Sequence, residues 1–317
     1  MKITEELSYN DVYLRPKFCV VNSRQECDTN VTLGNFTFAM PVYPANMKSV
    51  VDENTCKFFA SKNWFYTMHR FGVDPTSFTE DMHKNGFISS ISIGINSEST
   101  EQIQNLNKLE KHPEFITIDV ANAWSNRVKL FISEIKNKLP NTFLIVGNVA
   151  TEEAVYDLVQ WGADAIKVGI AGGKSCITKN KTGFYRPMIT TILECASIST
   201  VPIIADGGIT EHGDLAKAIS AGAHMIMAGS LFAGFDESAG DIVDINNHKY
   251  KEYFGSASEY NKEQKKNIEG KKILIDYKGA MIPFLQELHE DLQSSISYAG
   301  GNTLSALHTG LILKIKN

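Results

Sequence analysis

Residues 162–169 read Gly-Ala-Asp-Ala-Ile-Lys-Val-Gly, and residues 222–229 read Gly-Ala-His-Met-Ile-Met-Ala-Gly. In each, a Gly-Ala stop is followed by a short apolar run that ends on glycine. The offset of 60 residues fits two strand–helix units of roughly 30 residues each, the spacing an eight-unit barrel requires. Ahead of each copy, the pattern has the marks of a helix. Thr151 is placed to cap one, Val155, Leu158 and Val159 form its apolar face, and Gly162 stops it; Leu215, Ala218, Ile219 and Gly222 repeat that face and stop.

Working outward, eight runs read as strands: Phe38–Val42, Trp64–Met68, Ile88–Ile93, Phe115–Val120, Phe143–Val146, Ala165–Val168, Pro202–Ala205 and Met225–Met227. Strands alternating with helical stretches imply a parallel sheet with helical crossovers. The expected fold is α/β, a (β/α)8 TIM barrel, with a doubly wound open sheet as the alternative. Residues 235–272 are polar and break the pattern after the last strand. They read as a mobile flap, and Met281–Ser297 as the last barrel helix. The whole span 1–317 is expected to form one catalytic domain with no inserted regulatory domain.

Composition narrows the function. A net charge of −5 argues against a broad nucleic-acid surface. No signal segment or membrane-spanning apolar run is visible. Five cysteines, an odd number at irregular spacing, fit reduced thiols and a cytoplasmic setting. No HExxH occurs.

The strand ends carry the polar residues: Asn46-Met47, His69-Arg70, Gly94, Asp119, Asn148, the Gly169–Cys176 loop, Asp206-Gly207-Gly208 and Gly229-Ser230. In a barrel these converge on the C-terminal mouth, where barrel enzymes keep their chemistry. Taken singly, Asp119 or Asn148 reads as a turn or cap residue. The run Val168-Gly169-Ile170-Ala171-Gly172-Gly173-Lys174-Ser175-Cys176-Ile177-Thr178-Lys179 carries a thiol at the end of a glycine-rich loop. Such a loop offers N–H groups to a phosphate and carbonyls to a cation. A thiolate there is placed to attack an electrophilic carbon, with Lys174 or Lys179 to favour the ionised form. Asp206 beside two glycines suits a ribose diol, and Gly229-Ser230 the other half of a phosphate cup.

These motifs, with Tyr9-Asn10-Asp11-Val12, Pro44-Ala45-Asn46-Met47, Met68-His69-Arg70, Ile118-Asp119-Val120-Ala121-Asn122, Gly147-Asn148-Val149, Asp236-Glu237-Ser238, Tyr277-Lys278-Gly279 and Ser295–Gly300, run the length of the chain. In them the sequence resembles the IMP dehydrogenase and GMP reductase family. The short Phe71–Phe87 connection leaves no room for the dehydrogenases' regulatory insert, and no Arg follows Arg186 to act as their flap base. The flap pieces Phe254–Ser258 and Ile268–Lys272 resemble those of the reductases, so the resemblance implies the reductase branch in its shorter bacterial form. A dehydrogenase lacking the regulatory domain and a non-catalytic purine-nucleotide-binding barrel are the rivals.

The resemblance implies NADPH-dependent reductive deamination of GMP to IMP and ammonia through a thioimidate on Cys176, with Thr178 and Glu269 as the proton-handling dyad. Substrate would be held by Gly173, Lys174, Ser175, Asp206, Gly207, Gly208, Gly229, Ser230, Tyr253, Ser258 and Lys266. The nicotinamide side would be lined by Asn46, Met47, Asp119, Val120, Ala121, Asn122 and Asn148. It also implies K⁺ on the carbonyls of Ala171, Gly173 and Cys176, and a homotetramer. Two departures stand out. The loop reads Ala171-Gly172-Gly173-Lys174 where the family has Gly-Pro-Gly-Ser, and Lys266 replaces an Arg whose planar fork it cannot copy.

Overall fold

The computed structural model describes residues 4–262, 268–308 and 312–315. In chain order, β1 (Val12–Leu14) precedes the hairpin β2 (Val31–Leu33) and β3 (Phe36–Phe38), and β4 (Val42–Pro44) begins the alternation. There follow α1 (Glu53–Ser61), α2 (Pro75–Lys84), β5 (Ser90–Ile93), α3 (Ser97–Leu106), β6 (Phe115–Asp119), α4 (Asn126–Lys138), β7 (Phe143–Val149), α5 (Glu152–Trp161) and β8 (Ala165–Val168). Then come α6 (Thr178–Thr182), α7 (Met188–Ile198), β9 (Ile203–Asp206), α8 (Gly213–Ser220) and β10 (Met225–Ala228). The flap holds β11 (Ile242–Ile245), β12 (His248–Phe254), α9 (Glu259–Lys262) and β13 (Lys272–Asp276). The chain closes with α10 (Ile282–Tyr298), α11 (Ser305–His308) and β14 (Ile312–Lys314), which pairs antiparallel with β1.

Local sequence explains the helices. Asp52, Asp74, Asn96, Ser125 and Thr151 each accept an N–H in the first turn of the helix they precede. Gly162 ends α5 at φ 106°, a conformation glycine adopts without strain.

The main sheet is parallel in the order β4-β10-β9-β8-β7-β6-β5. The first barrel strand thus pairs with the last, and the others follow in sequence, which rules out the doubly wound alternative. The eighth position belongs to residues 64–68, and here the expected strand is corrected. Among the described residues, only Met68 joins the ladder, through its N–H to Ser90 and its carbonyl to Ser92, both at 2.9 Å. The seam there is filled by side chains, with Phe65 edge-on to Phe38, Tyr43 and Phe115. The first expected strand is also displaced: Phe38 ends the hairpin, and β4 starts at Val42.

Strand alternation divides the core. Ile166, Val168, Ile203, Ala205, Ile226 and Ala228 face the helices. Phe115, Ile145, Ala165, Ile204, Met225 and Met227 fill the barrel lumen, which Leu33 and Phe38 of the hairpin plug from below. The flap, expected as a loop to residue 272, is an antiparallel three-stranded sheet reaching Asp276.

Phe115 is fully buried and touches the rings of Phe36, Phe38, Phe65 and Phe143. Phe115→Ala removes the centre of this floor, and we expect a loss of about 3–5 kcal/mol in urea-unfolding stability.

Candidate active site

The lumen-facing positions change character toward the strand C-termini. Above Ala165 on β8 stands Lys167, above Ile204 on β9 stands Asp206, and above Phe115 and Thr117 on β6 stands Asp119. Lys167 is only 2% exposed, and its ammonium bonds to Asp206 Oδ2 at 2.7 Å and Asp119 Oδ1 at 3.1 Å. Burial pushes this lysine down, but the two carboxylates outweigh it and hold it above its ordinary value. Asn148 Nδ2 adds a bond to Asp206 Oδ2 at 2.9 Å.

Over this polar layer lies a cavity of about 300 Å³. The loop after β8 forms one wall. Gly169, at φ 138°, passes so close to the Asp206 carbonyl that no Cβ fits, and Gly172 packs on Gly207 and Gly208. Ala171 holds φ 61°, the left-handed region that glycine would take without strain.

Cys176 is half-buried, and its Sγ–H donates to Thr178 Oγ1 at 3.2 Å. Thr178, the first residue of α6, donates in turn to Glu269 Oε2 at 2.7 Å. Glu269 comes from the flap, which main-chain bonds stitch to the cysteine loop. Ile177 N–H donates to the Glu269 carbonyl at 2.8 Å, and Lys271 N–H to that of Ser175 at 2.9 Å. Glu269 N–H and Gly270 N–H both reach the Ala257 carbonyl, so flap residues 255–257 and 269–270 roof the cavity as one piece. The row Sγ–Oγ1–Oε2 is a path along which a proton can pass between a nucleophile and a carboxylate.

The other thiols differ. Burial pushes Cys195 up to about 12, Cys56 well above the ordinary thiol range, and Cys27 up as well. Cys19 is exposed but has no such relay.

The residues expected from the sequence separate into three sets. Cys176, Thr178, Glu269, Gly173, Ser175, Asp206 and Tyr253 line the cavity, with Asn46, Met47, Asp119, Val120, Ala121, Asn148 and Ala171. Asn46 is buried and its Nδ2 lacks a partner among the described residues, a donor left for a ligand. Gly207, Gly208, Gly229, Ser230 and Ser258 are not among the lining residues. Gly229 makes room for the phenol of Tyr253, which lies where a Cβ would go, and Gly208 faces the ring of Tyr9. Ser258 is fully buried, its backbone bridging to Gly270. Lys174 and Asn122 are exposed, and Asn122 spends its side-chain oxygen on the Trp124 N–H. Lys266 falls outside the described residues.

Lys167 and Arg70 line the cavity; the strand-end pattern puts Arg70 at the mouth without a role, and Lys167 was not anticipated. Arg70 lies over the Phe71 ring, 4.5 Å from its centroid, and its buried Nε lacks a partner among the described residues. The signal for Lys167 was present: a lysine inside a four-residue strand that is otherwise wholly apolar. A larger cavity, of about 540 Å³, lies outside the barrel beside β1, α8 and the end of α10. It contains none of the relay residues.

Residues 6–316 match the family model described as IMP dehydrogenase / GMP reductase domain. The chain is 60% identical over 305 residues to a GMP reductase of Chromobacterium violaceum, covering 96% of each chain. It is 50% identical over 312 residues to GMP reductases of Lysinibacillus sphaericus and Oceanobacillus iheyensis, covering 98% of this chain and 95% of each of theirs.

Because Ala171 pays for its left-handed φ, Ala171→Gly should leave the loop in place and relieve up to about 1 kcal/mol of strain. Thermal denaturation checks this, the expected result being an unchanged or higher Tm.

Proposed function

Since the chain belongs to the IMP dehydrogenase / GMP reductase domain family, we propose that it catalyses NADPH-dependent reductive deamination of GMP to IMP, releasing ammonia. The single observation that carries this reading is the Cys176–Thr178–Glu269 relay, with its thiol on a 300 Å³ cavity. Simple nucleotide binding requires no such relay. A dehydrogenase needs a flap base to activate water, and no arginine occurs after residue 186.

In the first step Cys176 Sγ bonds to purine carbon 2 and the exocyclic amine departs. The thiol proton travels with it through Thr178 and Glu269, so that ammonia leaves and a thioimidate remains on Cys176. NADPH supplies the hydride that carbon 2 receives in the second step. The carbon–sulfur bond then breaks, the sulfur recovers a proton, and IMP is released. One proton from solvent balances the sum.

The walls of the site supply part of the binding set, and the family resemblance implies the rest. Asp206 accepts from the ribose hydroxyls. Ser175, Gly207, Gly208, Gly229, Ser230 and Tyr253 surround the phosphate, with Gly173 in the loop and Lys174 supplying charge in place of the family's serine. Burial holds the Tyr253 phenol above its ordinary range, so it meets the phosphate as a neutral donor. Ser258 and Lys266 read the base. The orphaned amide of Asn46 and the partnerless Nε of Arg70 are donors suited to the dinucleotide. Met47, Asp119, Val120, Ala121, Asn122 and Asn148 complete that side.

In the same reading, residues 1–317 act as one catalytic domain with a flap at about 235–272 that opens for substrate. The carbonyls of Ala171, Gly173 and Cys176 would hold K⁺. The protein works in the cytoplasm as a homotetramer. No described helix is long and apolar enough to cross a membrane.

Purified protein mixed with GMP and NADPH should consume the reduced-nicotinamide absorbance, and Cys176→Ala should abolish the signal. Thr178→Val and Glu269→Gln should lower kcat by about 10²–10⁴-fold, with a smaller change in the KM for GMP. Activity confined to IMP and NAD⁺ would reassign the chain to the dehydrogenase branch, and silence with both pairs would leave a binder.

A further inference from the structure

We propose that Lys167 is a positioning residue for this reaction: one buried ammonium sets Asp206 for the nucleotide and Asp119 for the dinucleotide, joining the two halves of the site. The inference rests on the functional reading above.

The register of the sheet makes the arrangement available. Asp119 on β6 pairs with Gly147 on β7, and Gly147 pairs with Lys167 on β8. Gly147 therefore stands between the lysine and the carboxylate it reaches. A Cβ on Gly147 would lie 2.5 Å from that of Lys167, so the missing side chain is what lets the lysine cross a whole strand to Asp119. On the other flank Asp206 rises two residues above Ile204, the register partner of Lys167.

Among the described residues, the bonding pattern then leaves each carboxylate one oxygen for a ligand. Asp206 receives both Lys167 and Asn148 on Oδ2, and Asp119 receives Lys167 on Oδ1. Their side chains keep 20% and 16% exposure at the cavity, whereas Lys167 reaches its floor with only 2%. With its ammonium committed to both carboxylates, the lysine acts through the two aspartates. Without it, two carboxylates that share one nitrogen's hydrogen-bonding shell would face each other unscreened in a half-buried pocket. One would turn away or take up a proton.

Removing the cation should therefore be curable by removing the surplus charge. GMP is titrated calorimetrically into the full-length protein without dinucleotide. Lys167→Met should weaken GMP binding about tenfold or more. Adding Asp119→Asn to that variant should bring binding back to within about threefold of the unmodified chain, although Asp119 has no part in holding GMP. In steady-state assays Asp119→Asn alone should raise the KM for NADPH. A purely packing role for Lys167 predicts that the second substitution recovers nothing, and that result overturns the proposal, as does unchanged GMP binding in Lys167→Met. Should Lys167→Met fail to fold, recovery of folding by Asp119→Asn supports the charge account, and failure of both overturns it. If the unmodified chain does not bind GMP, it is the functional reading that falls.

Discussion

The junction between the flap and the cysteine loop governs this site. Two main-chain bonds, from Ile177 to Glu269 and from Lys271 to Ser175, lay one strand of flap along the loop that carries the thiol. Only in that register does the Glu269 carboxylate reach Thr178, and only through Thr178 does it reach Cys176. The proposed nucleophile is fixed to the barrel and its proposed proton partner to the flap. Opening the flap would disconnect the relay, and closing it would assemble the relay and exclude water together.

The barrel beneath supplies the rigidity this arrangement needs. Its floor is aromatic and plugged, and its rim is ionic. Along a single lumen-facing row the chain passes from Ala165 to Lys167, or from Ile204 to Asp206, in one step of the strand period. The apolar layer fixes the strands, and the strands fix the charges, so the carboxylates are held on regular structure rather than on loops. The glycines at the rim serve the same end. Gly147, Gly169 and Gly229 each leave room that a neighbouring group fills, namely the Lys167 side chain, the Asp206 carbonyl and the Tyr253 phenol.

Much of this was legible from residue pattern. The apolar runs marked seven of the eight barrel positions as strands, the repeat at 162 and 222 implied closure, and the polar strand ends pointed to the mouth. What escaped did so for physical reasons. Residues 64–68 read as a strand because they are apolar, yet that seam is held by rings rather than by a ladder. The flap strands were hidden because β12 turns a lysine inward: Lys251 is buried, donating to the carbonyls of Asp236 and Ser238. The Thr178–Glu269 contact spans 91 residues and no local pattern announces it; family resemblance alone brought the two together. Lys167 was passed over because its partners lie on other strands, across a register that only the folded sheet defines.

The central claim is that sulfur at residue 176 becomes bonded to the purine during turnover. Rapid acid quenching of the protein with GMP and NADPH, followed by intact and peptide mass spectrometry, addresses it directly. The account predicts an adduct equal to GMP less ammonia, mapped to the peptide bearing Cys176 and absent from Cys176→Ala. Turnover with no adduct on any cysteine, or an adduct on Cys19 instead, would contradict it.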